Sequence, residues 1–290
     1  MLAARLHEGD ARLRLEDIAI PAPAAGECLV QVAACGLCGT DLHILDGVTA
    51  ASRPLTLGHE AAGTVREVGE NVDGIRAGDR VFIDPIVVCG QCASCRSGRP
   101  NICARRQIVG VNRDGALAEF VAVPFTNLIP IPDELTLEHA AMVESASTPF
   151  HALATRAPRF AGDAVAVIGV GGLGFHAVEI ANVLGAAVVI AVDVAEAALS
   201  RALAHGASHA FDARDPEVGR NVRAASGGGV AVAVECVGEP SAQRTTFDCL
   251  RRGGVAVFAG VGVEPFAGPL TERFVAQEFE ARGAFAYSRD

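Results

Sequence analysis

Lysine is missing from this chain: all 24 basic residues among its 290 are arginine. That excludes any mechanism built on a lysine amine, whether a Schiff base, a pyridoxal anchor or the lysine of a P-loop. Basic charge is also in deficit, since 34 acidic residues leave a formal net charge of −10. An anionic partner, nucleic acid or lipid surface, is therefore disfavoured. No sustained apolar run follows Arg5, so the N-terminus does not read as a secretory signal. The most apolar stretches, 164–175 and 183–192, are too short for a bilayer and are interrupted by glycine or bounded by Asp193. Repeats at a solenoid period are absent, and with half of the residues hydrophobic the composition is not that of a disordered chain. The expectation is a soluble, intracellular, cytoplasmic protein of two domains. Its nine cysteines then read as metal ligands or buried thiols.

The two halves differ in texture. Up to about residue 150, short β-rich runs (28–33, 62–68, 80–83 and 118–123) are separated by glycine and aspartate turns, which predicts a small barrel-like β domain. From Gly162 onward, apolar strands alternate with alanine-rich helices. Six strands are expected at 164–168, 188–192, 209–211, 230–235, 255–259 and 282–286. Helices are expected between them at 173–184, 195–205, 240–250 and 271–279. That series is a βαβ pattern with a buried parallel sheet, a doubly wound α/β domain. The division is placed at 154/155, where Pro149 and Pro158 bracket a linking helix.

After the first strand of the second half comes Gly169, Val170, Gly171, Gly172, Leu173 and Gly174, opening a helix. Strand, glycine turn and helix together make a dinucleotide fingerprint, in which helix N-terminal amides face a pyrophosphate. Nineteen residues beyond Gly174, at the end of the second strand, Asp193 has the spacing of a carboxylate that hydrogen-bonds adenosine ribose hydroxyls. It would repel an NADP 2′-phosphate, and the next basic residue, Arg201, comes late in the chain for a phosphate clamp. The expected cofactor is NAD.

Two cysteine groupings stand out. Cys89, Cys92, Cys95 and Cys103 follow a C-x2-C-x2-C-x7-C spacing within a loop of glycine, serine and arginine. Four thiolates there can close a tetrahedral zinc site with no open position, which is a structural arrangement. Disulfides and an iron–sulfur cluster are the alternatives for such a lobe. The second grouping is dispersed: Cys35, Cys38, Thr40, Asp41 and His43, then Gly58, His59 and Glu60, then Glu144. The other cysteines, Cys28, Cys35, Cys236 and Cys249, read as small core hydrophobes. His139, His151, His176, His205 and His209 have no second ligand at a useful spacing.

The run Gly58-His59-Glu60-x2-Gly63-x5-Gly69-x2-Val72, with the four-cysteine lobe and the fingerprint following in order, resembles the zinc-dependent medium-chain dehydrogenase/reductase family over the whole chain. The resemblance implies a GroES-like catalytic domain over 1–154, with the lobe at 89–103, and a Rossmann domain over 155–290. It implies two zinc ions per chain, NAD, a small alcohol or carbonyl substrate, and a homo-oligomer. Cys38 and His59 match the catalytic zinc ligands, and Glu60 the acidic neighbour that can exchange onto the metal. Glu144 falls where sorbitol- and threonine-type members place a carboxylate ligand. Asp41 resembles the carboxylate that orients the zinc histidine, and Thr40 with His43 the proton relay.

Hydride transfer between an alcohol and NAD is thus the activity implied, with a secondary alcohol, polyol or amino alcohol as substrate. Members of that family continue for some tens of residues beyond the point matching Asp290, with a later helix and a segment that returns to the catalytic domain. A zinc- and cofactor-binding but catalytically impaired fragment is therefore the alternative reading.

Overall fold

A computed structural model describes residues 1–289, which form two compact units, Met1–Glu144 and Ser145–Arg289. The first carries β1 (Leu2–Leu6), β2 (Arg14–Asp17), β3 (Glu27–Gly36), α1 (Gly39–Leu45), β4 (Leu55–Thr56), β5 (Glu60–Val68), β6 (Arg80–Ile83) and β7 (Ile86–Val87). It continues through α2 (Ala93–Arg96), β8 (Gln107–Ile108), β9 (Phe120–Pro124), β10 (Leu128–Pro130) and α3 (Leu137–Ala141). The helix α4 (Val143–Phe150) follows and runs on as a π-helical turn over His151–Arg156, where a linking helix was expected.

In the first unit the antiparallel order β10-β6-β5-β3-β9 forms the main sheet, and β2-β1-β4 a smaller one. Alternate residues supply its core: Cys28 and Val30, Ala61 and Val65, Val81 and Ile83, Val121 and Val123. Period-two burial is what a half-buried strand requires, and it is why these runs were readable. The small sheet was not foreseen. Its β2 is almost wholly exposed and carries no alternating signal.

The second unit holds β11 (Ala164–Ile168), α5 (Gly172–Val183), β12 (Val188–Asp193), α6 (Glu196–Ala204), β13 (His209–Asp212) and α7 (Val218–Ala225). Then come β14 (Val230–Glu235), α8 (Pro240–Cys249), β15 (Leu250–Phe258), α9 (Thr271–Ala276) and β16 (Glu280–Gly283). All pairs in its sheet are parallel, in the order β13-β12-β11-β14-β15-β16. This is the doubly wound arrangement, and the strand order reverses between β11 and β14. Val165 and Val167 face one layer with Ala177 and Ala181 of α5, whereas Ala166 and Ile168 face the other with Val222 and Phe247. Burial on both faces produces the continuous apolar runs seen in the sequence.

Two details depart from expectation. The helix α7 was missed because arginine, glycine and asparagine dilute its pattern; Val218 and Val222, one turn apart, carry its buried face. The last strand ends at Gly283 instead of Ala286, whose φ of 47° takes the backbone out of the extended region. Among the described residues, no helix is long and apolar enough to cross a membrane.

Candidate functional site

Three donors converge where β3, α1 and β5 meet: a sulfur of Cys38, a ring nitrogen of His59 and a carboxylate oxygen of Glu60 lie within 4.8 Å of one another. Each is placed by a local device. Cys38 precedes α1 as its N-cap, and Asp41 closes that turn by accepting the Cys38 amide on Oδ2 at 2.9 Å. The other oxygen, Oδ1, faces His59 Nδ1 at 3.6 Å, an ion-pair distance beyond a hydrogen bond, so one carboxylate lies beside two of the donors. With Nδ1 turned to Asp41, Nε2 is the nitrogen left for a metal. Glu60 opens β5 opposite Gly36, the last residue of β3. A side chain at Gly36 would set its Cβ 2.2 Å from Glu60 Oε2, so the glycine is the room the carboxylate occupies. His59 follows Gly58, whose φ of 95° and whose contacts with Cys35 and Leu117 leave no space for a Cβ.

The electrostatics suit a cation. Burial pulls the His59 imidazole down, but Asp41 and Cys38 outweigh it and hold its pKa up at about 11. Glu144 is buried and lies outside the three-donor group. Burial pushes its carboxyl up to about 7; His59 opposes that, while Glu60, Asp84 and Asp41 add to it. His59 Nδ1 and Asp41 Oδ1 are buried without a hydrogen-bond partner. Thiol, imidazole and several carboxylates crowded out of water fit a divalent metal with mixed ligands. Cys35, expected as core filler, sits among the same carboxylates; burial first, then Asp41 and Glu60, push its thiol up to about 12. It stays neutral. Thr40 Oγ1 lies 3.7 Å from Cys38 Sγ, and His43 is one turn further along α1.

Replacing Gly36 by alanine is expected to swing the Glu60 carboxylate away and weaken metal retention about tenfold with little loss of fold. Competition with a chelator measures it; unchanged retention would remove Glu60 from the metal's surroundings.

The four-cysteine lobe is assembled. Sulfur separations are 3.4 Å for Cys89 to Cys103, 3.5 Å for Cys92 to Cys95, 3.8 Å for Cys92 to Cys103 and 4.0 Å for Cys89 to Cys95. Four sulfurs each about 2.3 Å from a zinc ion would stand about 3.8 Å apart, so the set fits that ion. All nine cysteines are free thiols, which argues against the disulfide alternative. Amides of Gln91 and Cys92 bring the Cys89 thiol down to about 5, while burial raises Cys95 to about 12.

In the second unit, Gly171 caps α5, and a Cβ at Gly174 would lie 1.8 Å from Gly169 O. Gly172 and Leu173 begin α5, so the fingerprint turn and helix start coincide. Asp193 holds this turn, accepting the Val170 amide at 2.7 Å on Oδ2 and the Ala195 amide at 2.8 Å on Oδ1. Arg201, passed over for its distance in the chain, returns to the turn. Its Nη2 is 3.5 Å from Val170 O, and its guanidinium carbon is 5.5 Å from the centre of the Phe175 ring.

Comparison with known proteins shows the family. The family described as Alcohol dehydrogenase GroES-like domain matches residues 24–133, and that described as Zinc-binding dehydrogenase matches 172–290. The sorbitol dehydrogenase of Bacillus subtilis (strain 168) is 33% identical over 295 residues, covering 99% of this chain and 83% of its own length. An L-threonine 3-dehydrogenase of Xanthomonas oryzae pv. oryzae (strain MAFF 311018) is 34% identical, covering 85% of this chain and 73% of its own length. A zinc-binding dehydrogenase of Sinorhizobium meliloti 1021, solved with NADP bound, superposes with a TM-score of 0.91 at 32% identity, covering 99% of this chain and 85% of that one. With its two family domains in order and relatives of this similarity along nearly its whole length, the chain belongs to the zinc-dependent medium-chain dehydrogenase/reductase family.

Proposed function

We propose that this protein is an NAD-dependent zinc dehydrogenase that moves a hydride between a secondary alcohol, polyol or amino alcohol and the nicotinamide. The convergence of Cys38, His59 and Glu60 within 4.8 Å carries the reading. Cys38 and His59 would hold the catalytic ion, with Glu144 completing the set and Glu60 as the exchanging neighbour. Cys89, Cys92, Cys95 and Cys103 would hold a second, structural ion. When bound, zinc at the first site supplies a Lewis acid that lowers the pKa of a substrate hydroxyl or polarises a carbonyl.

The chain's own residues then divide the work. Asp41 keeps the His59 ring oriented and the Cys38 turn closed. Thr40 Oγ1, beside Cys38, takes the proton leaving the substrate hydroxyl and gives up its own. The His43 imidazole receives it one turn on. The glycine turn at 169–174 receives the pyrophosphate and Asp193 the adenosine ribose, where its negative charge favours NAD over its 2′-phosphorylated form. The reading also includes a homo-oligomer, as the family resemblance implies, located in the cytoplasm.

The test offers NAD or NADP with secondary alcohols, polyols and threonine to zinc-loaded protein and follows the absorbance of reduced nicotinamide. Turnover is expected with NAD on at least one class; none with any substrate or cofactor would overturn the assignment.

A further inference from the structure

The fingerprint turn and Asp193 account for the adenosine half of a dinucleotide. In a doubly wound sheet the other half lies across the reversal of strand order, over the carboxyl ends of the next strands. Here those are β14 and β15, and the residue at the seam is Glu235. It ends β14, pairs with Ile168 at the end of β11, and is 0% exposed. Its Oε1 accepts two amides of the following turn, Val237 at 2.7 Å and Gly238 at 2.6 Å, while Oε2 is buried without a partner. Its backbone oxygen accepts Ala259 and Gly260 amides at 2.8 and 3.0 Å, at the end of β15. One residue therefore ties down two strand-end turns.

Those turns touch without side chains between them. A Cβ added at Gly260 would lie 2.2 Å from Gly238 N, and one at Gly262 would lie 2.1 Å from Gly238 O. On the other side, a Cβ at Gly169 would lie 2.3 Å from Val237 Cγ2. Wherever Gly238 sits, the 260–262 turn must follow, backbone on backbone, whereas the fingerprint turn meets the Val237 side chain. A carboxyl buried with one oxygen unpaired costs stability. Holding the turn in place is the use this geometry gives it.

We infer that Glu235 is a positioning residue for the nicotinamide half of the cofactor site, acting through the Val237–Gly238 turn. The inference rests on the dinucleotide reading above. NADH is titrated into the zinc-loaded full chain by its fluorescence, and ADP-ribose, which lacks the nicotinamide, by calorimetry. Glu235→Ala is expected to weaken NADH about tenfold or more and ADP-ribose less than about threefold, because only the far half loses its support. Glu235→Gln keeps the accepting oxygen and holds both ligands within about threefold of the parent.

Gly262→Ala presses on the same turn from outside and leaves Glu235 untouched, so it carries the test if Glu235→Ala does not fold. It gives the same selective loss of NADH. Unchanged NADH affinity in Glu235→Ala or Gly262→Ala, or an equal loss of both ligands, overturns the inference. A parent chain that binds neither NADH nor ADP-ribose overturns instead the dinucleotide reading beneath it.

Discussion

Replacing Cys38 by serine is expected to lower turnover by about a thousandfold or more while ADP-ribose still binds. The magnitude follows from a metal's several kcal/mol of charge stabilisation, each 1.4 kcal/mol being about tenfold in rate. Serine is a good N-cap, and the Asp41 carboxylate that holds the residue 38 amide is untouched, so α1 keeps its start. What would be lost is the sulfur donor offered to a metal, for which a hydroxyl is a poor substitute. The fingerprint turn lies in the other compact unit and has no part in this change. Steady-state rates, ADP-ribose titration and zinc content per chain read the three consequences separately. A variant turning over at more than about a tenth of the parent rate would remove Cys38 from the chemistry.

Replacing Cys95 by serine strikes stability instead. Between Cys89 and Cys103 the only regular helix is the four-residue α2, and the buried residues are Asn101 and Cys103. Such a lobe has no apolar core to close it, so a metal bound there would supply its folding free energy. Losing one of four ligands is expected to cost about 3 kcal/mol or more and to lower Tm by about 10 °C. Zinc content should drop from two ions per chain to one, with the remaining activity per folded molecule reduced far less than in the Cys38 variant. Calorimetry and metal analysis check both, and two ions retained per chain would show that the lobe is not the structural site.

The parts of this site that were legible in the sequence are those whose members are close in the chain. Four cysteines within fifteen positions, and a glycine turn between an apolar strand and a helix, announce themselves because local geometry brings their atoms together. Cys38 and His59 came from family resemblance, since nothing in their spacing alone places them side by side. Gly36 was passed over because its meaning depends on register: it matters only as the residue opposite Glu60. Asp84 and Glu235 look like strand-end acids until burial and hydrogen bonding are known. Asp84 is buried, with Oδ1 accepting the Ile86 amide, and it adds to the negative surroundings of Glu144. An acidic residue inside the apolar run 81–88 was the available signal. Arg201 shows the same dependence on the fold: late in the chain, it returns to the fingerprint turn only through the packing of α6.

The way Gly58 is clamped bears on the order in which the protein can be made. The His59 segment is held by residues synthesised much later: Ala116 and Leu117 donate amides to Gly58 and Leu57, and Gly110 and Gly115 press directly on Gly58 O. The first strand waits as well, since Ala4 hydrogen-bonds Leu117. A nascent chain that has passed the candidate donors at 38, 59 and 60 therefore carries them without their frame until about fifty more residues have left the ribosome. Domains fold as units during synthesis. A metal at this site would accordingly be acquired by the completed first unit, whereas the 89–103 lobe, whose four cysteines are neighbours in sequence, is free to close as soon as Cys103 emerges.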